Sequence, residues 1–320
     1  MNNLGLRTYD DLLMLQSLPL ELKIAKTKLR IKEWYERYCG NVYVSFSGGK
    51  DSTVLLYLVR ELYPDVPAVY VDTGLEYPEI KSFVNTFDNV IILKPKMNFK
   101  QVVLKYGYPV ISKEQSAFIH EYRTTKSEKL KRIRLEGNKY GRGKVSKKWR
   151  FLLDAPFLVG DQCCDIMKKE PFKRFEKESG LHPFIGTMAI ESSQRTVNWL
   201  RYGCNAFQKK RPTSQPLSGW TEQDILEYYL FTGDRYARDV YGDILVNCDG
   251  SLYLSGAQRT GCEFCLYGAQ CEKGKGRLER VKELHPKRYD FIMRPVEENG
   301  LGYKVVIDYI NAHSKANIRY

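Results

Sequence analysis

No stretch of this sequence approaches the ~18 consecutive apolar residues that a membrane-spanning helix requires. Residues Met1–Asp10 also lack the apolar core of a secretory leader. A cytoplasmic protein with no membrane partner is therefore expected. Low-complexity tracts and internal repeats are missing too, which sets aside solenoids and biased linkers. Hydrophobic residues reach 43% and aromatic residues 13%, ordinary for a folded chain and too high for a disordered one. At 320 residues there is room for one large domain, or one domain with a smaller appended part. An oligomer is compatible with this composition.

What the sequence does have is positive charge and cysteine. The formal net charge is +13, a balance that favours polyanionic partners such as nucleic acid or phosphorylated small molecules. The charge is concentrated. Between Arg123 and Arg150 stand twelve Lys/Arg and two Glu, with Tyr140 and Trp149 among them. Such a segment suits a phosphate backbone, making nucleic acid a candidate partner of residues 123–150. It equally forms a solvated surface insertion. Eight cysteines in a cytosolic chain point to metal or redox chemistry rather than a disulfide framework.

Along the chain, apolar positions at helical spacing predict a helix over residues 11–38. The run NVYVSF at 41–46 reads as a buried strand, and STVLLYLVREL at 52–62 as a helix. A second strand is expected at 66–71, a helix at 77–87 and a third strand at 89–93. This alternation is the signature of an α/β fold with a parallel twisted sheet and flanking helices. Residues 113–150 interrupt it as a basic helical insertion. A helix at 161–178, a strand at 183–187 and a helix from Glu191 follow, and Thr221 is the expected N-cap of another. The resulting division is an N-terminal helical segment over 1–40, an α/β nucleotide-binding domain over 41–245, and a cysteine-containing C-terminal segment over 246–320.

The segment Ser47-Gly48-Gly49-Lys50-Asp51-Ser52 lies between the first strand and its helix. Two adjacent glycines let the backbone turn tightly and bring its N–H groups near a phosphate. The helix behind them points its unpaired N–H groups and positive dipole end at the same place. Lys50 adds charge, and Ser47 and Ser52 add hydroxyl donors. The Gly-x4-Gly-Lys-Ser/Thr spacing of a Walker loop is absent. Asp72-Thr73-Gly74 ends the second strand, and ligands of such sheets bind beyond the carboxyl ends of the strands.

SFSGGKDST resembles the motif of the N-type ATP pyrophosphatases, the PP-loop superfamily. Further segments are similar to the phosphoadenosine phosphosulfate (PAPS) reductase family: Val71-Asp72-Thr73-Gly74 with Tyr77-Pro78-Glu79, Gly186 to Arg195, and Pro216-Leu217 with Trp220 to Ile225. The resemblance implies an adenine nucleotide alpha hydrolase-like fold. It implies that Ser47, Gly48, Gly49, Lys50, Asp51 and Ser52 hold phosphates or sulfate, with Asp72, Thr73 and Gly74 beside the nucleotide. The nucleotide would be ATP, or PAPS or adenylylsulfate. Asp72 would bind Mg²⁺ if ATP is the substrate. Arg195 would take the nucleotide's anionic group bidentately, or form a helix-surface ion pair. Lys50, Asp51 and Arg195 are the candidate catalytic residues.

Cys262-x-x-Cys265 alone is ambiguous among zinc, a redox disulfide and iron–sulfur. The adjacent pair Cys163-Cys164 is unusual for zinc. A Cys-Cys pair, 97 intervening residues and then CxxC resembles the cluster pattern of the iron–sulfur adenylylsulfate reductases in the same family. That resemblance implies a [4Fe–4S] cluster on Cys163, Cys164, Cys262 and Cys265, with zinc as the alternative. Cys271 could replace one of the adjacent pair, and Cys204 is a weaker substitute. Cys39 and Cys248 read as ordinary residues.

One departure matters. The reductases of this family attack sulfur with a cysteine near the C-terminus, in a Glu-Cys-Gly-Leu-His-type segment. Here no cysteine follows Cys271, and 299–320 offers only His313 as a comparable group. The segments 199–207, 261–268, 277–280 and 285–287 are instead similar to PAPS-reductase-domain proteins of phages and mobile elements. Three functions follow from the resemblance. One is adenylation with pyrophosphate release, then cluster-assisted sulfur transfer to nucleic acid, needing a sulfur donor. Another is reduction of a sulfonucleotide to sulfite, needing a thiol reductant. The third is a nucleotide-sensing DNA-binding regulator with a structural cluster.

Overall fold

The computed structural model describes residues 7–320. Its strands are β1 Val42–Ser45, β2 Ala68–Val71, β3 Val90–Leu93, β4 Val110–Ile111, β5 His182–Ile185, β6 Asn205–Ala206, β7 Thr213–Ser214, β8 Ile244–Val246, β9 Leu252–Leu254 and β10 Leu266–Tyr267. The chain divides into two compact units that interleave in sequence. The first, the loop unit, comprises residues up to Asp72, Glu76–Leu93 and Phe172–Thr260. The second, the cysteine unit, comprises Thr73–Leu75, Lys94–Pro171 and Gly261–Tyr320. These units differ from the linear division at residues 40 and 245. The N-terminal helix Leu20–Arg37 packs within the loop unit, and the basic segment shares a unit with the C-terminal cysteines.

The loop unit is built on a six-stranded sheet in the order β3-β2-β1-β5-β7-β6. All neighbours are parallel except β6 and β7. Val44 of β1 pairs with Ala68 on one side and Phe184 on the other. The order therefore reverses at β1, which puts a switch-point crevice beyond its carboxyl end. The expected α/β class with a parallel sheet and flanking helices is what the chain adopts. The helix Lys50–Leu62 is apolar nearly all round because it is covered nearly all round: Val54, Leu55, Leu56, Leu58 and Val59 are all buried. Each such side chain contributes roughly 1.5–3 kcal/mol by leaving water. That burial fixes where the helix begins, and hence where the loop before it points.

Two expected helices depart from a regular α-helix, each near a proline. The single helix read over 11–38 is two, Tyr9–Gln16 and Leu20–Arg37, with Pro19 at the second N-cap. A proline there has no N–H to lend to a continuous ladder. Over 161–178 the expected helix forms, continuous from residue 163 to residue 179, with a π-helical turn at Asp165–Lys169 before the α-helix Glu170–Ser179. Pro171 cannot donate to the carbonyl four residues back, and the wider π turn accommodates that missing bond.

The cysteine unit pairs β4 with β10 in parallel and is otherwise helical. Its core includes Val102, Val110, Ile119, Leu152, Leu266, Val281, Tyr303 and Ile307. The basic segment runs through the helix Glu128–Glu136 and the 3-10 helix Lys147–Asp154. Trp149, one of the two aromatics inside the basic segment, is only 5% exposed and belongs to this core. Tyr140 is exposed. Among the described residues no helix is long and apolar enough to cross a membrane.

Candidate nucleotide loop and cysteine site

The loop Ser47–Ser52 turns because Gly48 takes φ +70°. A side chain at Gly48 would also come within 2.7 Å of Val84 and 2.8 Å of Ile80, residues of the helix Pro78–Val84 that follows the Asp72-Thr73-Gly74 motif. Glycine is thus required twice, for its conformation and for its size. The hydroxyls of Ser47 and Ser52 lie 3.0 Å apart, and the Ser47 amide donates to Ser52 Oγ at 3.1 Å. Ser52 and Thr53 each donate to the Gly49 carbonyl, at 2.9 and 3.0 Å. The loop is closed by its own residues, with Ser47 exposed at its tip.

Behind the loop is a buried knot of charge. The Lys50 ammonium is 3.5 Å from Asp51 Oδ1, 3.3 Å from Glu222 Oε1 and 3.4 Å from the Gln258 carbonyl. Both carboxylate oxygens are buried, and neither receives a hydrogen bond in good geometry. Burial is the largest influence on both groups. It pushes the Asp51 carboxyl up, with Lys50 opposing, and Glu191 and Glu222 add repulsion. For Lys50 burial acts downward, but Asp51 and Glu222 outweigh it and raise the ammonium above its usual value.

Three hydroxyls converge over Gly49, whose missing Cβ would lie 3.2 Å from Ser47 Oγ, 3.3 Å from Tyr241 and 3.4 Å from Thr260. The Lys50 amide, the first of the helix, donates to the Tyr241 hydroxyl at 3.2 Å, and that hydroxyl is 2.6 Å from Thr260 Oγ1. From β5, Gly186 approaches so closely that a Cβ would stand 2.9 Å from Ser52 Cα. Sequence reasoning quoted Gly186 and Glu222 only as parts of motifs and missed Tyr241 and Thr260. The legible signal was the glycine ending β5; nothing local marks a tyrosine 191 residues beyond Lys50.

The remaining nucleotide candidates are placed as follows. Asp72 ends β2 and accepts a hydrogen bond from Lys81 at 2.7 Å. Thr73 is buried and its hydroxyl accepts from the Leu75 amide at 3.1 Å. Gly74 has φ +72° with open space around it. Arg195 lies in the first turn of the helix Ser193–Tyr202, ion-paired with Glu191. Thr221 caps Glu222–Thr232 as expected, in a capping box with Asp224.

Cys163, Cys164, Cys262 and Cys265 line one small cavity of the cysteine unit, with Phe99, Pro109, Met167 and Lys168. Cys163 and Cys164 lie just before and at the start of the π turn, their sulfurs 3.9 Å apart. The hydrogen bond from Cys163 pulls the Cys164 thiol down to about 6, helped by Lys113 and Lys168, while Cys163 itself is pushed up. Cys271 is exposed on the turn Ala269–Cys271 and does not line this cavity. Cys204 belongs to the loop unit, and Cys39 and Cys248 are exposed. The donor set, four thiols with two cations beside them, fits an anionic thiolate-bound metal group. The sulfurs do not stand as a ligand polyhedron, however. Among the described residues no group of three or more His, Cys, Asp or Glu is arranged to hold a metal ion.

Residues 41–142 match the family model of the phosphoadenosine phosphosulfate reductase domain. An uncharacterized protein of Methanocaldococcus jannaschii is 25% identical over 279 residues, covering 84% of this chain and 51% of that protein. The adenosine 5'-phosphosulfate reductase of Geobacillus kaustophilus is 28% identical over 207 residues, 63% of this chain and 69% of the enzyme. The crystal structure of phosphoadenylyl-sulfate reductase from Candida auris aligns with 15% identity and a TM-score of 0.38, covering 72% of this chain and 90% of that one. The chain spans about half the length of the M. jannaschii relatives it matches. Residues 41–142 are thus similar to the domain of the PAPS reductases.

Proposed function

We propose that this protein is an enzyme of sulfur chemistry that seats the anionic end of ATP or a sulfonucleotide in Ser47–Ser52. The observation that carries the nucleotide part is the position of that loop. Its two glycines and the N-terminus of a buried helix lie where the strand order reverses. Ser47 and Ser52 orient the bound oxygens, and Lys50 offsets charge on departing pyrophosphate or on sulfate. Asp51 and Glu222 hold Lys50 in place. Asp72 is the carboxylate for Mg²⁺ accompanying ATP, in exchange for its bond to Lys81.

A [4Fe–4S] cluster would be held by Cys163, Cys164, Cys262 and Cys265, supplying electrons or a sulfur-binding iron. In the preferred reading the enzyme adenylates an oxygen of nucleic acid held by the basic helices, releasing pyrophosphate, and sulfur from a separate sulfur donor then attacks that position and expels AMP. The second reading, reduction of a sulfonucleotide to sulfite, draws support from the sulfonucleotide reductases among the relatives. It leaves the basic helices without a role.

Side-by-side turnover by anaerobically purified protein separates the readings. Pyrophosphate release from ATP that depends on nucleic acid supports the first. Sulfite release from PAPS or adenylylsulfate with a thiol reductant supports the second. Neither product, with strong salt-dependent DNA binding, rejects both in favour of a nucleotide-sensing regulator.

A further inference from the structure

The loop unit has a second cavity, of about 260 Å³, just below the roughly 300–1,000 Å³ of drug-sized ligand pockets and so suited to a smaller molecule. Its walls come from the ends of the two N-terminal helices, Trp199 and Cys204, and the segment Pro216–Trp220. None of the Ser47–Ser52 residues lines it. No Asp or Glu lines it either, whereas Arg7, Lys23, Lys26 and Arg30 all do.

These cations are not equivalent. Lys23 is neutralised, its ammonium 2.7 Å from both Asp224 oxygens and 2.6 Å from the Gln16 carbonyl. Arg30 reaches Glu33 at 2.8 Å. Among the described residues neither Arg7 nor Lys26 has an ion-pair partner. Asp11, whose charge Arg7 also favours, accepts both the amide and hydroxyl of Thr8.

The Arg7 guanidinium lies against the backbone of Gly203. Gly203 has φ +71°, and a Cβ there would come within 2.7 Å of the Arg7 guanidinium. Only glycine lets that guanidinium lie against the backbone beside Cys204. Two tryptophans complete the walls. Trp220 spends its N–H on Thr27 at 2.8 Å. Trp199 is 3% exposed, and its indole N–H is turned toward the Cys204 thiol. The cavity thus offers apolar walls and unbalanced positive charge.

We infer that this cavity is a second ligand site, for a small organic anion that carries a phosphate or carboxylate on a flat apolar body. Arg7 and Lys26 take the anionic group, Arg30 adds positive potential, and Trp199 and Trp220 flank the body. The site is independent of the nucleotide loop, and it gives a role to the Trp199–Cys204 segment, which the nucleotide chemistry leaves unused.

Tryptophan fluorescence of the full chain, titrated with phenyl phosphate and separately with inorganic phosphate, tests this. Saturable quenching by phenyl phosphate is expected, with inorganic phosphate about tenfold weaker. Lys26→Glu should weaken phenyl phosphate about tenfold or more, the scale of one charge-assisted bond. Lys32→Glu makes the same charge change on the same helix, at an exposed residue outside the cavity, and should leave binding unchanged. Absent saturation, equal binding of the two probes, unchanged binding in Lys26→Glu, or equal loss in Lys32→Glu would each overturn the assignment.

Discussion

Arg288 sets its Nε 2.6 Å from the carboxylate of Glu263, a side chain with no exposed surface. Glu263 lies inside the Cys262–Cys265 turn, and its amide donates to the Leu75 carbonyl at 2.8 Å. Arg288 also donates to the Gly74 carbonyl at 3.0 Å and lies over the Phe264 ring. The pair therefore ties the Thr73–Leu75 turn to the cysteine turn, within one unit. Arg288→Ala strips a fully buried carboxylate of its main counter-charge and should destabilise by about 3–5 kcal/mol. Glu263→Gln should be milder. Urea unfolding of metal-free protein measures both, and a parental midpoint for Arg288→Ala would contradict this account.

The loop glycines make a second prediction. Gly48→Ala meets Val84 and Ile80 and a left-handed backbone, so it should lose both stability, by about 1–3 kcal/mol, and nucleotide binding. Gly186→Ala pushes only against Ser52 and Asp51. It should weaken ATP or PAPS binding about tenfold or more, with a smaller loss of stability. Calorimetric titration beside thermal melting separates the two, and full affinity in Gly186→Ala would refute the close approach.

Asp51 supplies a pH signature. Burial raises its carboxyl above the ordinary 3.8. The folded state then holds the proton longer than the unfolded state, and stability falls as pH rises from the ordinary value through the raised one. Lys50 is also raised, so its contribution stays constant across the acidic range and is lost only at alkaline pH. Asp51→Asn removes the acidic loss. Its stability relative to the parent should improve steadily as pH rises from about 3 towards neutral. A difference that is flat or declines with pH would show that ionised Asp51 is favoured by the fold.

Within the basic segment, Arg134 is paired with Glu121 and donates to the Gly143 carbonyl, and Arg123 donates to the Phe157 carbonyl at 2.7 Å. These two are structural. Among the described residues Lys129 and Lys139 have no such bonds to the fold. Replacing them with Glu should weaken nucleic-acid binding and flatten its salt dependence, with melting unchanged. Unaltered affinity in the double variant would remove this segment from the interface.

The parallel sheet and its loop were legible because both are local: short β-rich runs, apolar helices and glycines at a strand end. The four cysteines were legible as a set only through resemblance, and the chain does bring them to one cavity. What the sequence could not reveal depends on distant partners. Tyr241 and Thr260 reach Gly49 from far along the chain, and Arg288 reaches Glu263 across two helix starts. Pro19 was visible, but an apolar periodicity that continues past a proline masks the break. The burial of Trp149 was not legible because a basic neighbourhood hides an apolar face.

The most direct test is the metal content of anaerobically purified protein. The account predicts brown protein with about four iron and four sulfide per chain, lost in Cys262→Ala and Cys163→Ala and kept in Cys271→Ala. Colourless protein holding zinc, or iron retained in Cys262→Ala, would contradict it.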